Sequence, residues 1–131
     1  MLGSKAASKA EGAHMLACKE SVCIPCLVRV TLGLLPPEWA VVGHDGSGAL
    51  YLGLLEYDHK KSGNIRRGHL FGWGSCSYHH RGVPQNNMTL RECRDRWGVS
   101  LADGSALFHA TYGDDDSLIE IQQHVLSERG S

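Results

Sequence analysis

The sequence predicts a small α+β domain in which a two-stranded hairpin and a short helix are stapled by zinc, with further helices on the C-terminal side. Three observations carry this reading. Cys23-Ile-Pro-Cys26 and Cys76-Ser-Tyr-His79 are two half-sites for one tetrahedral metal. Two apolar and aromatic runs, Ala49 to Tyr57 and His69 to Trp73, flank a basic turn centred on Gly63-Asn64, as an antiparallel hairpin requires. Downstream, three segments carry helix caps or helical spacing.

The size of the chain explains why a metal is needed. With 131 residues, 42% hydrophobic and 21% charged, it fits one domain, drawn here over residues 18–131 behind a flexible leader, 1–17, of small polar residues. A core of that size is only modestly stabilising, and this one has 16 glycines against three tryptophans, four tyrosines and two phenylalanines. Five cysteines and eight histidines are the natural supplement.

No apolar run reaches the roughly 18 to 20 residues of a bilayer span, because Arg29 interrupts Leu27 to Leu35 and Glu56 ends Ala49 to Leu55. The leader has lysines with no apolar stretch behind them, so it does not read as an export signal, and a cytoplasmic protein is expected. An odd number of cysteines in such a chain argues for metal rather than disulfides. Cys23, Cys26, Cys76 and His79 form the expected structural Zn2+ site, with Cys18 as the rival ligand at a poorer five-residue step. Cys93, on the expected helix to Trp97, reads as a buried thiol.

Along the chain, Pro36-Pro37 and Gly43 to Gly48 are breaks before the first strand of the hairpin. The basic turn Lys60 to Gly68 follows, and then the second strand. Thr89 caps a helix to Trp97, Gly104 to Tyr112 forms another, and Asp114 to Asp116 cap a last one in which Leu118, Ile119, Gln122, Val125 and Leu126 keep helical spacing.

The formal charge of −1 conceals a basic centre: residues 56–96 hold eight positive and four negative charges, whereas 97–131 hold one and six. Lys60, Lys61, Arg66, Arg67 and Arg81 crowd around the histidines, as expected where a polyanion such as DNA meets a metal site. Asp58-His59 closes the first strand, His69 opens the second, and His79-His80 follows Cys76. Adjacent residues on a helical turn point about 100° apart, so His79 can complete the zinc site while His80 turns toward the hairpin. His109, near a Tyr-Gly helix end, reads as structural.

This order, CxxC, Asp-His at a strand end, then Cys-x-x-His-His, resembles the ββα-metal pattern of HNH endonucleases. Cys23-Ile-Pro-Cys26, Tyr57-Asp58-His59-Lys60, Cys76-Ser-Tyr-His79-His80 and Phe108-His109-Ala110-Thr111-Tyr112-Gly113 look like the phage recombination-enhancement, RecA-dependent Ref-like nuclease family, over about residues 22–125. The resemblance implies a zinc-stabilised ββα-metal (HNH) core and a metal-dependent DNA endonuclease linked to recombination, with a RecA-type filament as a partner. It implies Asp58 and His80 as ligands of a catalytic divalent metal (Mg2+, Mn2+ or Zn2+) and His59 as general base. His69 stands near the place of the central Asn that orients the base in many HNH enzymes. The stretch 27–57 has no counterpart in that pattern.

The chemistry suits the assignment. Phosphodiester hydrolysis needs a base for water, a Lewis acid and positive charge for the developing anion. His59, the Asp58 and His80 metal, and Arg66, Arg67 or Arg81 meet those needs in turn. The alternative is a zinc-knuckle module that binds nucleic acid or a recombinase without cutting, which needs only Cys23, Cys26, Cys76, His79 and the basic hairpin. A zinc hydrolase of small molecules would carry an HExxH or HxE signature, and the chain has none.

Overall fold

The computed structural model describes residues 8–42, 50–51, 55–59, 61–62, 65–66, 72–85 and 87–129, with backbone alone at 50–51, 59, 61–62, 65–66 and 129. Its architecture is α+β. The centre is an antiparallel pair, β3 (Glu56–His59) and β6 (Gly72–Ser75), in the register Glu56↔Ser75, Tyr57↔Gly74, Asp58↔Trp73 and His59↔Gly72. The expected hairpin is present with both strands displaced toward the C-terminus. One reason is visible: β2 (Leu50–Tyr51), expected to begin the first strand, instead pairs in parallel with β1 (Val41–Val42). Beyond β3, β4 (Lys61–Ser62) pairs with β5 (Ile65–Arg66), and the register Ser62↔Ile65 leaves Gly63-Asn64 between them, as the turn signal requires.

Helices enclose the central pair. α1 (Lys9–Lys19) starts at a reciprocal cap in which Glu11 N–H donates to Ser8 Oγ and Ser8 N–H donates to Glu11 Oε1. It lies against β6 and β3, so a packed helix begins ahead of residue 18, within the span read as a leader. The approach is close because Gly74 has no side chain: a Cβ there would stand 2.6 Å from the carbonyl oxygen of Cys18.

α2 (Ile24–Thr31) begins at Cys23 as N-cap with Pro25 in its first turn, where a missing N–H costs nothing. The backbone N–H of Cys23 donates to the carbonyl of Val41, tying this helix start to β1. α3 (Ser77–Arg81) begins at Cys76 and stops at Gly82, whose φ of 74° is the left-handed cap that glycine adopts without strain.

The C-terminal elements match the sequence reading. α4 (Leu90–Trp97) opens with the Thr89 and Glu92 capping box, α5 runs Ser105–Tyr112 and α6 runs Asp115–Arg129. The carboxylate of Asp114 accepts the Ser117 N–H, as a cap should. α6 buries Leu118, Ile119 and Gln122. Gln122 closes the outer edge of β6: its Oε1 accepts the Gly74 N–H at 2.7 Å, and its Nε2 donates to Ser21 Oγ at 3.1 Å.

Two apolar clusters result. One gathers Leu35, Val41, Leu55, Tyr78 and Trp97 around the cysteines; the other packs Ile24, Trp73, Phe108, Tyr112, Leu118 and Ile119. The strands thus carry the hairpin and α3 to one place, and α4 to α6 buttress it from behind.

Candidate metal centre

Two helix N-termini deliver the ligands. Cys23 caps α2 and Cys26 lies one turn in; Cys76 caps α3 and His79 lies one turn in. Each half-site therefore places its cysteine where unsatisfied N–H groups and the helix dipole favour a thiolate. The His79 N–H contributes directly, donating to Cys76 Sγ at 3.4 Å. All four residues are buried, and their ligand atoms lie within 4.8 Å of one another.

The geometry fits zinc. The Nδ1 of His79 stands 3.4 Å from Cys23 Sγ, 3.6 Å from Cys26 Sγ and 3.3 Å from Cys76 Sγ. A tetrahedral zinc with bonds of about 2.3 Å to sulfur and about 2.0 Å to nitrogen separates its ligand atoms by roughly 3.5 to 3.8 Å. On the far side of the ring, Nε2 lies 2.7 Å from the carbonyl oxygen of Trp97. A carbonyl only accepts, so Nε2 carries a hydrogen, and Nδ1, facing the three sulfurs, is the nitrogen whose lone pair a metal would take in place of a proton.

Burial pushes the Cys23 thiol up, but hydrogen bonds from Cys26 and Cys76 and the charge of His79 outweigh it and hold Cys23 well below the ordinary thiol range. Burial and the neighbouring sulfurs of Cys23 and Cys76 push Cys26 up. Burial lowers His79, yet the negative sulfurs of Cys76 and Cys23 override it and raise the imidazole to about 10. Three sulfurs and one imidazole in a dry pocket favour a positive charge at their centre, and Cys3His is a soft donor set suited to zinc.

The other two cysteines stand apart. Cys18, the rival ligand, is buried on α1 with its Sγ 3.7 Å from His14 Nε2, and burial pushes its thiol up to about 12. Cys93 is a buried thiol on α4 that accepts the Gln85 N–H at 3.3 Å, as expected of a packing residue. His109 is structural as read: its Nδ1–H donates to the carbonyl of Gly113 at 2.9 Å.

Around the hairpin, Asp58 is buried on β3 opposite Trp73. Glu56, two residues earlier, shares its strand face. His80 turns from α3 toward β3, as its offset from His79 requires, and its Nδ1–H donates to Glu56 Oε1 at 2.8 Å. Arg81 grips the same carboxylate, with Nε 2.9 Å from both oxygens and Nη2 2.5 Å from Oε2. Those bonds from Arg81, helped by His80 against partial burial, hold the Glu56 carboxyl below its usual range.

Arg81, expected to face DNA, pairs with Glu56 while its side chain stays 60% exposed. Glu56 itself escaped the sequence reading, although strand alternation from Asp58 places it on the same face and could have flagged it. His59 ends β3 opposite Gly72, but its side chain and those of Lys61 and Arg66 lie outside the described residues, as do Lys60, Arg67 and His69 altogether. Among the described residues, the Cys3His set is the one group of three or more converging metal-ligand atoms, and no helix is long and apolar enough to cross a membrane. Comparison with known protein families, with curated proteins and with solved structures returned no match.

Proposed function

We propose that this chain is a zinc-stabilised, divalent-metal-dependent DNA endonuclease of HNH type. One observation carries the reading: β3, ending in Asp58-His59, pairs with β6, and β6 leads into α3, whose first turn supplies two residues of the Cys3His cluster while the next residue, His80, turns back to the face of β3 that carries Asp58. The donor set of a carboxylate and an imidazole suits Mg2+, Mn2+ or Zn2+. Such an ion supplies Lewis acidity to the phosphate oxygens when bound.

The chain's own residues do the rest. Asp58 and His80 hold the ion, and His59, following Asp58 and so pointing to the opposite strand face or out of the strand end, takes the proton from the attacking water. A neutral imidazole is able to do so. Lys60, Lys61, Arg66 and Arg67 provide sequence-independent contacts to the DNA backbone. The rigid zinc knuckle fixes where α3 starts and thereby where His80 points.

The test is a nicking assay on supercoiled and single-stranded DNA with zinc-loaded protein and added Mg2+ or Mn2+, with and without a RecA-type filament. Cleavage of at least one form, abolished by omitting the added ion, is the expected result. A protein that binds DNA and cuts none of these substrates is the zinc-knuckle binding module instead.

A further inference from the structure

We infer that Glu56 is a positioning residue that holds His80 with Nε2 directed to the divalent ion on Asp58, and that Arg81 serves to fix the Glu56 carboxylate. The inference rests on the nuclease reading above. It begins from a hydrogen bond. A carboxylate accepts and does not donate, so the 2.8 Å contact with Glu56 Oε1 puts the hydrogen of the His80 ring on Nδ1. In the form that binds a metal, the lone pair is then on Nε2, the nitrogen turned away from Glu56.

The carboxylate is itself pinned. Both its oxygens receive bonds from Arg81, and its side chain is 27% exposed against 60% for Arg81. With one oxygen shared by His80 and Arg81 and the other taken by Arg81, Glu56 acts through His80 rather than as a ligand. Asp58, two residues along the same strand face, is the carboxylate that the nuclease reading assigns to the ion. Carboxylate to histidine to metal is an arrangement in which loss of the outer carboxylate typically weakens metal binding by about 10 to 100-fold.

The experiment uses the full zinc-loaded chain and two readouts. Mn2+ uptake is followed by loss of the free-ion EPR signal, and the His80 ring nitrogens are assigned by 15N NMR before Mn2+ is added. Glu56→Ala should weaken Mn2+ uptake about 10 to 100-fold and remove the Nδ1–H preference of His80. Glu56→Gln keeps an acceptor oxygen, so it should retain the tautomer and most of the affinity. A wild-type His80 carrying its hydrogen on Nε2 overturns the inference without any variant having to fold. So does a folded Glu56→Ala that binds Mn2+ as tightly as wild type while Asp58→Ala and His80→Ala do not, and in that outcome the nuclease reading stands. Wild type, Asp58→Ala and His80→Ala with the same Mn2+ uptake overturns the nuclease reading and the role of Glu56 with it.

Discussion

The Nε2–H of His79 donates to the carbonyl oxygen of Trp97 at 2.7 Å, so the imidazole of the metal centre is oriented by the end of α4. That stretch is held from several sides. The Tyr112 hydroxyl lies 2.9 Å from the same carbonyl and 2.6 Å from that of Val99, and Tyr78 donates to the carbonyl of Gly98 at 2.6 Å. A Cβ at Gly98 would stand 2.5 Å from Arg29 Nη1 and 2.8 Å from the Tyr112 hydroxyl. The C-terminal helices thus set the tautomer and angle of a ligand that sits on α3.

The cysteines should separate into three that bind and two that pack. Cys76→Ser is expected to abolish zinc retention and folding, since structural zinc binding is worth on the order of 10 to 16 kcal/mol, as much as a domain's whole stability of about 5 to 15 kcal/mol. Cys18→Ser and Cys93→Ser should each keep one zinc per chain. Metal analysis of the three purified variants checks this, and loss of zinc from Cys18→Ser would show that Cys18 is a ligand.

Gln122→Leu should destabilise the chain by about 1 to 3 kcal/mol, because the buried Gly74 N–H would lose its acceptor, while the Ser21 hydroxyl would lose the amide donor to its oxygen and keep its bond to the Cys18 carbonyl. Urea unfolding of the zinc-loaded protein measures it, and a change within about 0.5 kcal/mol, the usual range for surface substitutions, would mean that the edge of β6 does not depend on this amide.

Gly74→Ala forces a choice between α1 and the hairpin, with a Cβ 2.6 Å from the Cys18 carbonyl. Overpacking of that kind typically costs about 1 to 3 kcal/mol. Hydrogen exchange should show α1 opening more readily than α4 to α6 in this variant; uniform protection at the wild-type level would contradict the packing described.

His59→Ala and His80→Ala should fail in different ways. Loss of the general base should lower the maximal cleavage rate by about 10²-fold or more with DNA binding little changed. His80→Ala should raise the Mg2+ or Mn2+ concentration needed for half-maximal rate as well as lowering the rate. Titrating the ion against cleavage rate for both variants separates the two roles, and identical ion dependence would remove His80 from the metal.

What the sequence made legible is what depends on neighbours in the chain. The two knuckles, the Thr89 cap and the Asp114 cap are signals three or four residues long, and each is found where its spacing places it. That His79 faces the cysteines while His80 faces β3 follows from helical geometry alone. α1 carried the same kind of signal, Ser8-Lys-Ala-Glu11, yet its small polar composition hid it; the helix is held by its cap and by contact with Gly74, a partner more than fifty residues away. The register of β3 and β6 and the parallel pairing of β1 with β2 depend on long-range packing with no local marker. Glu56 belongs with these: alternation places it beside Asp58, but only the packing of α3 on β3 decides that it meets His80 and Arg81.

The most direct test of the account is zinc K-edge X-ray absorption on the folded chain as purified. It predicts one zinc per chain with three sulfur neighbours at about 2.3 Å and one nitrogen at about 2.0 Å, from Cys23, Cys26, Cys76 and His79. A folded chain without zinc, or a zinc surrounded by nitrogen and oxygen alone, would contradict it.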